Sequence, residues 1–274
     1  MRFTGLFTCR NGENMVDFEN KSRYDVYDLE RLIALLRAPG GCPWDAEQTH
    51  ESLRRNMLEE AYEAAEAIDE GDPDHLKEEL GDVLTQVIFH ADIEREKGQF
   101  RLDDVADGVC RKLIFRHPHV FGDRKAGSAD DVLELWDDVK RQEKHQDTVT
   151  DALHSVARSL PALWRAEKLQ KKAGKAVAGS RLDIWDAMDL MAERLYDLSA
   201  VLSEGNGEAE EKLGELLFAA VLAARLTGTD PETALTKASD RFTERFAEAE
   251  RTADGGPLDP ETELGLYGTA CMES

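Results

Sequence analysis

Positive charge is in short supply in this chain: 34 Lys and Arg stand against 57 Asp and Glu, a formal net charge of −23 in 274 residues. Such a field repels a nucleic-acid polymer or an anionic membrane surface, and it admits a small anion only where a metal ion or a local basic cluster inverts it. The four cysteines, Cys9, Cys42, Cys110 and Cys271, are scattered without a C-x-x-C pair, which excludes a zinc site or disulfide framework and points to a reducing compartment. No run of about 18 apolar residues occurs. The opening MRFTGLFTCRNGENMVDFENKSRYD lacks both an apolar core and an A-x-A-like cleavage site, so the expected location is the cytoplasm, with no membrane partner. Only eight prolines punctuate the chain, while Ala, Leu and Glu abound, and this favours helix over sheet. The predicted fold class is all-α.

At 30.6 kDa the chain is long enough for two domains with real cores. Residues 1–24 read as a disordered polar start, with Met15 an alternative initiator. Apolar residues from Tyr27 to Leu36 predict a helix ending before Pro39, Gly40 and Gly41. After the loop PGGCPWD, Asp45 and Gln48 read as a capping box opening a helix that runs to Glu70 and stops at Gly71. Asp72 as N-cap and Pro73 at the first position start another, ending at Gly98. So short a connection makes this an antiparallel helical hairpin. Further helices are expected over 102–115 and 129–145, followed by a linker over 147–180 with a break at Pro161 and the basic run RAEKLQKKAGK.

The stretch NMLEEAYEAAEAIDEGDPDHLKEELGDVLTQVIFH, residues 56–90, places acids where an apolar stripe should run. Positions three apart share a helix face, so Glu60 pairs with Glu63 on one helix and Glu79 with Asp82 on the next. The hairpin sets the pairs opposite each other, with Glu59 alongside. Four converging anions without a counter-charge are prohibitively costly, and oxygen-only ligands suit a hard ion such as Mg²⁺ or Mn²⁺ that also takes phosphate oxygens. Two competing readings are a merely solvated acidic face and a di-iron bundle. The latter needs Glu-x-x-His, and His75 and His90 fall at the wrong spacings for it.

Glu59, Glu60, Glu63, Glu79 and Asp82, in the pattern EExxE then ExxD, resemble the MazG family of nucleoside triphosphate pyrophosphohydrolases. GCPWDAEQT, RHPHVFGD and RSLPALWRAEKLQKKA also look like that family, and the similarity runs from about Leu29 to Arg251. The resemblance implies an all-α, usually dimeric enzyme in which Mg²⁺ on the carboxylates binds a nucleoside triphosphate. Water attacks the α-phosphorus, giving a monophosphate and pyrophosphate. It makes Glu60, Glu63, Glu79 and Asp82 the metal ligands, and gives Glu59 a role in positioning or deprotonating the water. Lys112 and Arg116 match basic phosphate-binding positions, and read equally as solvated surface charges. Trp136 and Lys140, four apart, suit a stacked base and a phosphate, or else a core indole and an exposed ammonium. Trp44 reads as a packing anchor beside Asp45, with a place in the base pocket as the alternative. His117 and His119 do not suit a hard ion.

LKEELGDVLTQVIFHA at 76–91 reappears as AEEKLGELLFAAVLAA at 209–224, an offset of 133 that pairs Gly81 with Gly214. The expected organisation is therefore two tandem MazG-like helical halves completed by dimerisation: 25–146, catalytic; 181–252, degenerate; and a tail, 253–274. At that one offset Glu59 maps to Ala192, Glu60 to Glu193, Glu63 to Tyr196, Glu79 to Lys212 and Asp82 to Glu215. A lysine at a ligand position repels a divalent cation. In the family either half carries the chemistry; here the expectation falls on the first, with the second structural and nothing in its sequence asking for a ligand. The competing hypothesis from another class is a catalytically silent nucleotide-binding or interaction protein of the same fold.

Overall fold

The structure, a computed structural model, describes residues 18–124, 127, 128, 132, 135, 139, 143, 148–177, 181–205, 207–253 and 260–268. The described residues form helices and no strand, as an all-α fold requires. They fall into two compact units, residues 1–136 and 137–274.

The first unit contains α1 (Val26–Arg37), α2 (Pro43–Ala46), α3 (His50–Glu70), α4 (Pro73–Glu96), α5 (Leu102–Arg116) and α6 (Pro118–Phe121). Asp25 caps α1 by accepting from the N–H groups of Tyr27 and Asp28. Helix α3 begins later than the sequence predicts. The capping box is Thr49 with Ser52, not Asp45 with Gln48, and Asp45 lies in the separate short helix α2. Arg37 Nη1 donates to the carbonyls of Asp45 and Gln48 at 2.7 and 3.2 Å, occupying two acceptors that a helix continuous from Asp45 would use. Gly41 tucks under the end of α1: a Cβ at that position would come within 2.3 Å of the Leu35 and Leu36 carbonyl oxygens. Gly71, at φ 70°, ends α3 in the left-handed conformation, and Asp72 caps α4, so two residues reverse the chain.

Helices α3 and α4 form the expected hairpin, and α1 packs along α4. Ile33, Leu53, Ile88, Phe89 and Ile93 make the core of this unit, flanked by Leu29 and Leu102. Arg37 adds a buried ion pair with Asp92, Nε to Oδ2 3.3 Å, and reaches Glu96 at 2.9 Å. Residues 129–145, expected as a helix, lie outside the described residues except at four positions.

The second unit contains α7 (Val149–His154), α8 (Ala162–Gly174), α9 (Ile184–Glu204), α10 (Ala209–Leu226), α11 (Pro231–Thr252) and α12 (Pro260–Tyr267). Where the sequence predicts a linker, the chain forms α7 and α8. Pro161 is the N-cap of α8, which packs on α10 and α11 through Gln170 Nε2 to the Phe218 carbonyl and Trp164 Nε1 to Asp230. Helices α9 and α10 repeat the hairpin. Both first helices have 21 residues, and both end on a left-handed glycine, Gly71 or Gly205.

Candidate functional site

Residues Glu60 and Glu63 lie on the face of α3 that meets α4, and Glu79 and Asp82 lie one turn apart on α4. The hairpin brings one carboxylate oxygen from each of Glu60, Glu79 and Asp82 within 4.8 Å of one another. Glu63 stands one turn further along α3, near enough to act on Glu60. Burial, then the charge of Asp82, the charge and proximity of Glu63, and the charge of Glu79 all push the Glu60 carboxyl up from its ordinary range. The cluster is thus a concentration of negative charge that could hold a cation. Its donors are all oxygen, three of the four on one hairpin face, which fits a hard divalent ion and leaves no nitrogen or sulfur ligand in the set.

Sequence reasoning set His75 aside, yet it touches this cluster. Its Nε2 lies 3.4 Å from Glu79 Oε1 and its Nδ1 lies 2.8 Å from Glu70 Oε2. The Glu70 hydrogen bond, reinforced by the charges of Glu70 and Glu79, raises the imidazole pKa. The signal was present: His75 precedes Glu79 by one helical turn.

The remaining sequence-derived residues are placed as follows. Glu59 is exposed, a step of about 100° around α3 from Glu60. Lys112 is exposed on α5, which packs on α4, while Arg116 at the end of that helix is buried. Trp44 is not a packing anchor: it is 59% exposed on α2, because Arg37 rather than the indole holds this loop down. Trp136 and Lys140 lie outside the described residues.

The second hairpin follows a different register from the uniform offset of 133. Leu53 and Ala187, and Ala67 and Val201, are buried pairs 134 residues apart on α3 and α9. Gln86 and Ala219, and Ile88 and Val221, are buried pairs 133 apart on α4 and α10. Between equivalent positions on either side of the reversal the second hairpin has one residue fewer, which is why a single offset fails. The structural counterparts are therefore Glu59 with Glu193, Glu60 with Arg194 and Glu63 with Asp197. Lys212 and Glu215 remain the counterparts of Glu79 and Asp82. Arg194 Nη1 bonds Asp197 at 2.9 Å and lies 3.5 Å from Glu215, and Lys212 Nζ lies 3.3 Å from Glu215. Two cations and two anions stand where the first hairpin has four anions.

Residues 48–121, which span the carboxylate hairpin, match the MazG nucleotide pyrophosphohydrolase domain. The chain is 40% identical over 234 residues to the nucleoside triphosphate pyrophosphohydrolase of Escherichia coli K12, covering 81% of this chain and 87% of that protein. It is 42% identical over 223 residues to the nucleoside triphosphate pyrophosphohydrolase/pyrophosphatase MazG of Thermotoga maritima, covering 81% and 84%. It is also 46% identical over 239 residues to the uncharacterized protein YabN of Bacillus subtilis, and there it spans about half of the relative, 48%.

Proposed function

The chain belongs to the MazG family of nucleoside triphosphate pyrophosphohydrolases, and from that membership we propose that its first hairpin converts NTPs or dNTPs and water to the monophosphate and pyrophosphate. The observation that supports this half is the convergence of Glu60, Glu79 and Asp82, with Glu63 close by Glu60. These four would hold Mg²⁺, with Mn²⁺ as a substitute. The ion supplies charge neutralisation for the triphosphate and acidity for a bound water. Without such an ion the carboxylates repel the substrate outright.

Glu60 on α3 and Glu79 on α4, both partly buried, approach each other from the two helices of the hairpin. Glu59, a step around α3, is the residue we assign to orienting or deprotonating the attacking water. Lys112 and Arg116 on α5, and Trp136, Lys140 and Trp44, are the proposed contacts for phosphate and base. The role is the removal of unwanted nucleotides from the cytoplasmic pool; among the described residues no helix is long and apolar enough to cross a membrane.

A homodimer accounts for apolar surface that the single chain leaves open. Val105, Val109 and Leu113 form a stripe along α5, each about 40% exposed, and Leu58 and Tyr62 on α3 are likewise uncovered. Stripes at this spacing mark helix-to-helix contacts. Sedimentation of the purified chain is expected to show twice its 30.6 kDa mass. The activity is tested with a panel of NTPs and dNTPs in Mg²⁺, measuring pyrophosphate, phosphate and monophosphate together. Equimolar pyrophosphate and monophosphate is the expected result; release of phosphate, or nucleotide binding with no turnover across the panel, overturns the assignment.

A further inference from the structure

The second unit has an open cavity of about 1000 Å³ between α8, the start of α9 and the end of α10. Four cations line it, Lys171, Lys175, Arg181 and Arg225, in a chain whose net charge is −23. The carboxylate among its lining residues is Asp186, which accepts from the Asp183 backbone N–H at 2.9 Å as part of the α9 cap. Arg225 occupies the place that Asp92 holds on the first hairpin, where Asp92 meets Arg37 at 3.3 Å. The charge at that position is reversed, and Arg225 Nε is buried without a hydrogen-bond partner.

The floor of the cavity is apolar, built from Leu190, Phe218 and Leu222. Gln170 projects from its wall and is 9% exposed. Its Nε2 donates to the Phe218 carbonyl at 2.7 Å, while its Oε1 is buried with no donor. Leaving an acceptor unmade in this way costs roughly 1–3 kcal/mol, and a turn of the side chain toward the cavity would let a ligand N–H relieve it. An anionic group for the cations, a flat apolar group for the floor and an exocyclic amine for Gln170 are the parts of one molecule.

We propose that this cavity is a metal-independent binding site for an amino-bearing nucleoside monophosphate, distinct from the carboxylate hairpin. The phosphate lies toward Lys171, Lys175, Arg181 and Arg225, the base lies on Phe218 and Leu222, and Gln170 Oε1 accepts from the base amine. Among the described residues that line the site Asp186 is the one carboxylate, so no divalent ion is needed to bring an anion to it.

The test uses the full chain carrying Asp82→Asn, in EDTA, so that binding through metal at the first hairpin is removed. Calorimetric titration with AMP is expected to show one molecule bound per chain. Lys171→Ala with Arg181→Ala, both exposed rim positions, is expected to weaken AMP about tenfold or more, as loss of charged hydrogen bonds does. IMP, which lacks the exocyclic amine, is expected to bind about fivefold more weakly than AMP. The proposal is overturned if AMP does not bind saturably in EDTA, or if the double substitution leaves its affinity unchanged; equal affinity for AMP and IMP overturns the role of Gln170.

Discussion

Two hairpins in this chain share a frame and differ in where their counter-charge comes from. α3/α4 and α9/α10 have first helices of equal length, left-handed glycine stops and four buried positions in common along their seam. At the four polar positions of that seam the first presents Glu60, Glu63, Glu79 and Asp82, the second Arg194, Asp197, Lys212 and Glu215. The second closes its own electrostatics through contacts of 2.9–3.5 Å. The first has only His75 beside Glu79, at 3.4 Å, and the upward push on Glu60 is the physical trace of its crowded negative charge. A helical hairpin can thus keep its packing while exchanging a cluster of acids that could hold a cation for one that carries cations of its own.

The largest effect expected from this contrast is on turnover. Asp82→Asn and Glu60→Gln keep shape but remove a charged ligand, and each is expected to lower kcat/KM for the best nucleotide by about 100-fold or more. Asp197→Asn and Glu215→Gln, at the matching positions of the second hairpin, are expected to leave it within about twofold. Equal losses in both sets, measured as pyrophosphate release, would end the assignment of chemistry to the first half.

Next in size is the metal response. Mn²⁺ binding followed by electron paramagnetic resonance is expected to vanish in Asp82→Asn. Converting Arg194→Glu together with Lys212→Glu in that background rebuilds four carboxylates on α9/α10, and is expected to restore Mn²⁺ binding to a chain that has lost it. A folded double variant with no Mn²⁺ signal would show that the frame alone does not make the site.

How far the sequence could carry this comparison depended on which interactions are local. Gly71, Asp72 and Pro73 act within one turn of chain, so the hairpin and the facing of Glu60 toward Asp82 were legible directly. Arg37 is different: it acts across eight and eleven residues on Asp45 and Gln48, and no local pattern reveals that it occupies their carbonyls or that Trp44 is exposed. The register of the second hairpin failed for a related reason. A one-residue change in the α9–α10 reversal is invisible to an offset fixed on the second helix alone, and it hid Arg194 behind Glu193. The cavity beside Gln170 was illegible because it requires α8, in a segment that composition presents as linker, to pack on α10.

Packing gives a smaller and more general contrast. Leu53 is fully buried in the first core, while its counterpart Ala187 is a small residue in the same position. Leu53→Ala is expected to destabilise the first unit by about 2–5 kcal/mol in urea unfolding, and Ala187→Leu to cost the second about 1–3 kcal/mol through overpacking.

The smallest effect concerns acid. At the open end of the first hairpin His50 and His90 stack with ring centroids 5.0 Å apart and Nδ1 atoms 2.7 Å apart. Around them, Glu94 receives His50 Nε2 at 2.6 Å and Lys97 at 2.7 Å. The corresponding residues of the second hairpin, Ile184 and Ala223, do not titrate. Burial, and then the charge of His50, lower the His90 pKa, so folding favours its neutral form. The stability this contributes is present above the ordinary imidazole pKa of about 6.5 and is lost as pH falls through the depressed value of the folded chain. Amide hydrogen exchange, corrected for intrinsic rates, is therefore expected to speed up in α3 and α4 between pH 7.5 and 5.5 more than in α9 and α10. His90→Gln removes the titrating group and is expected to narrow that gap; an unchanged gap would place the acid sensitivity elsewhere in the first unit.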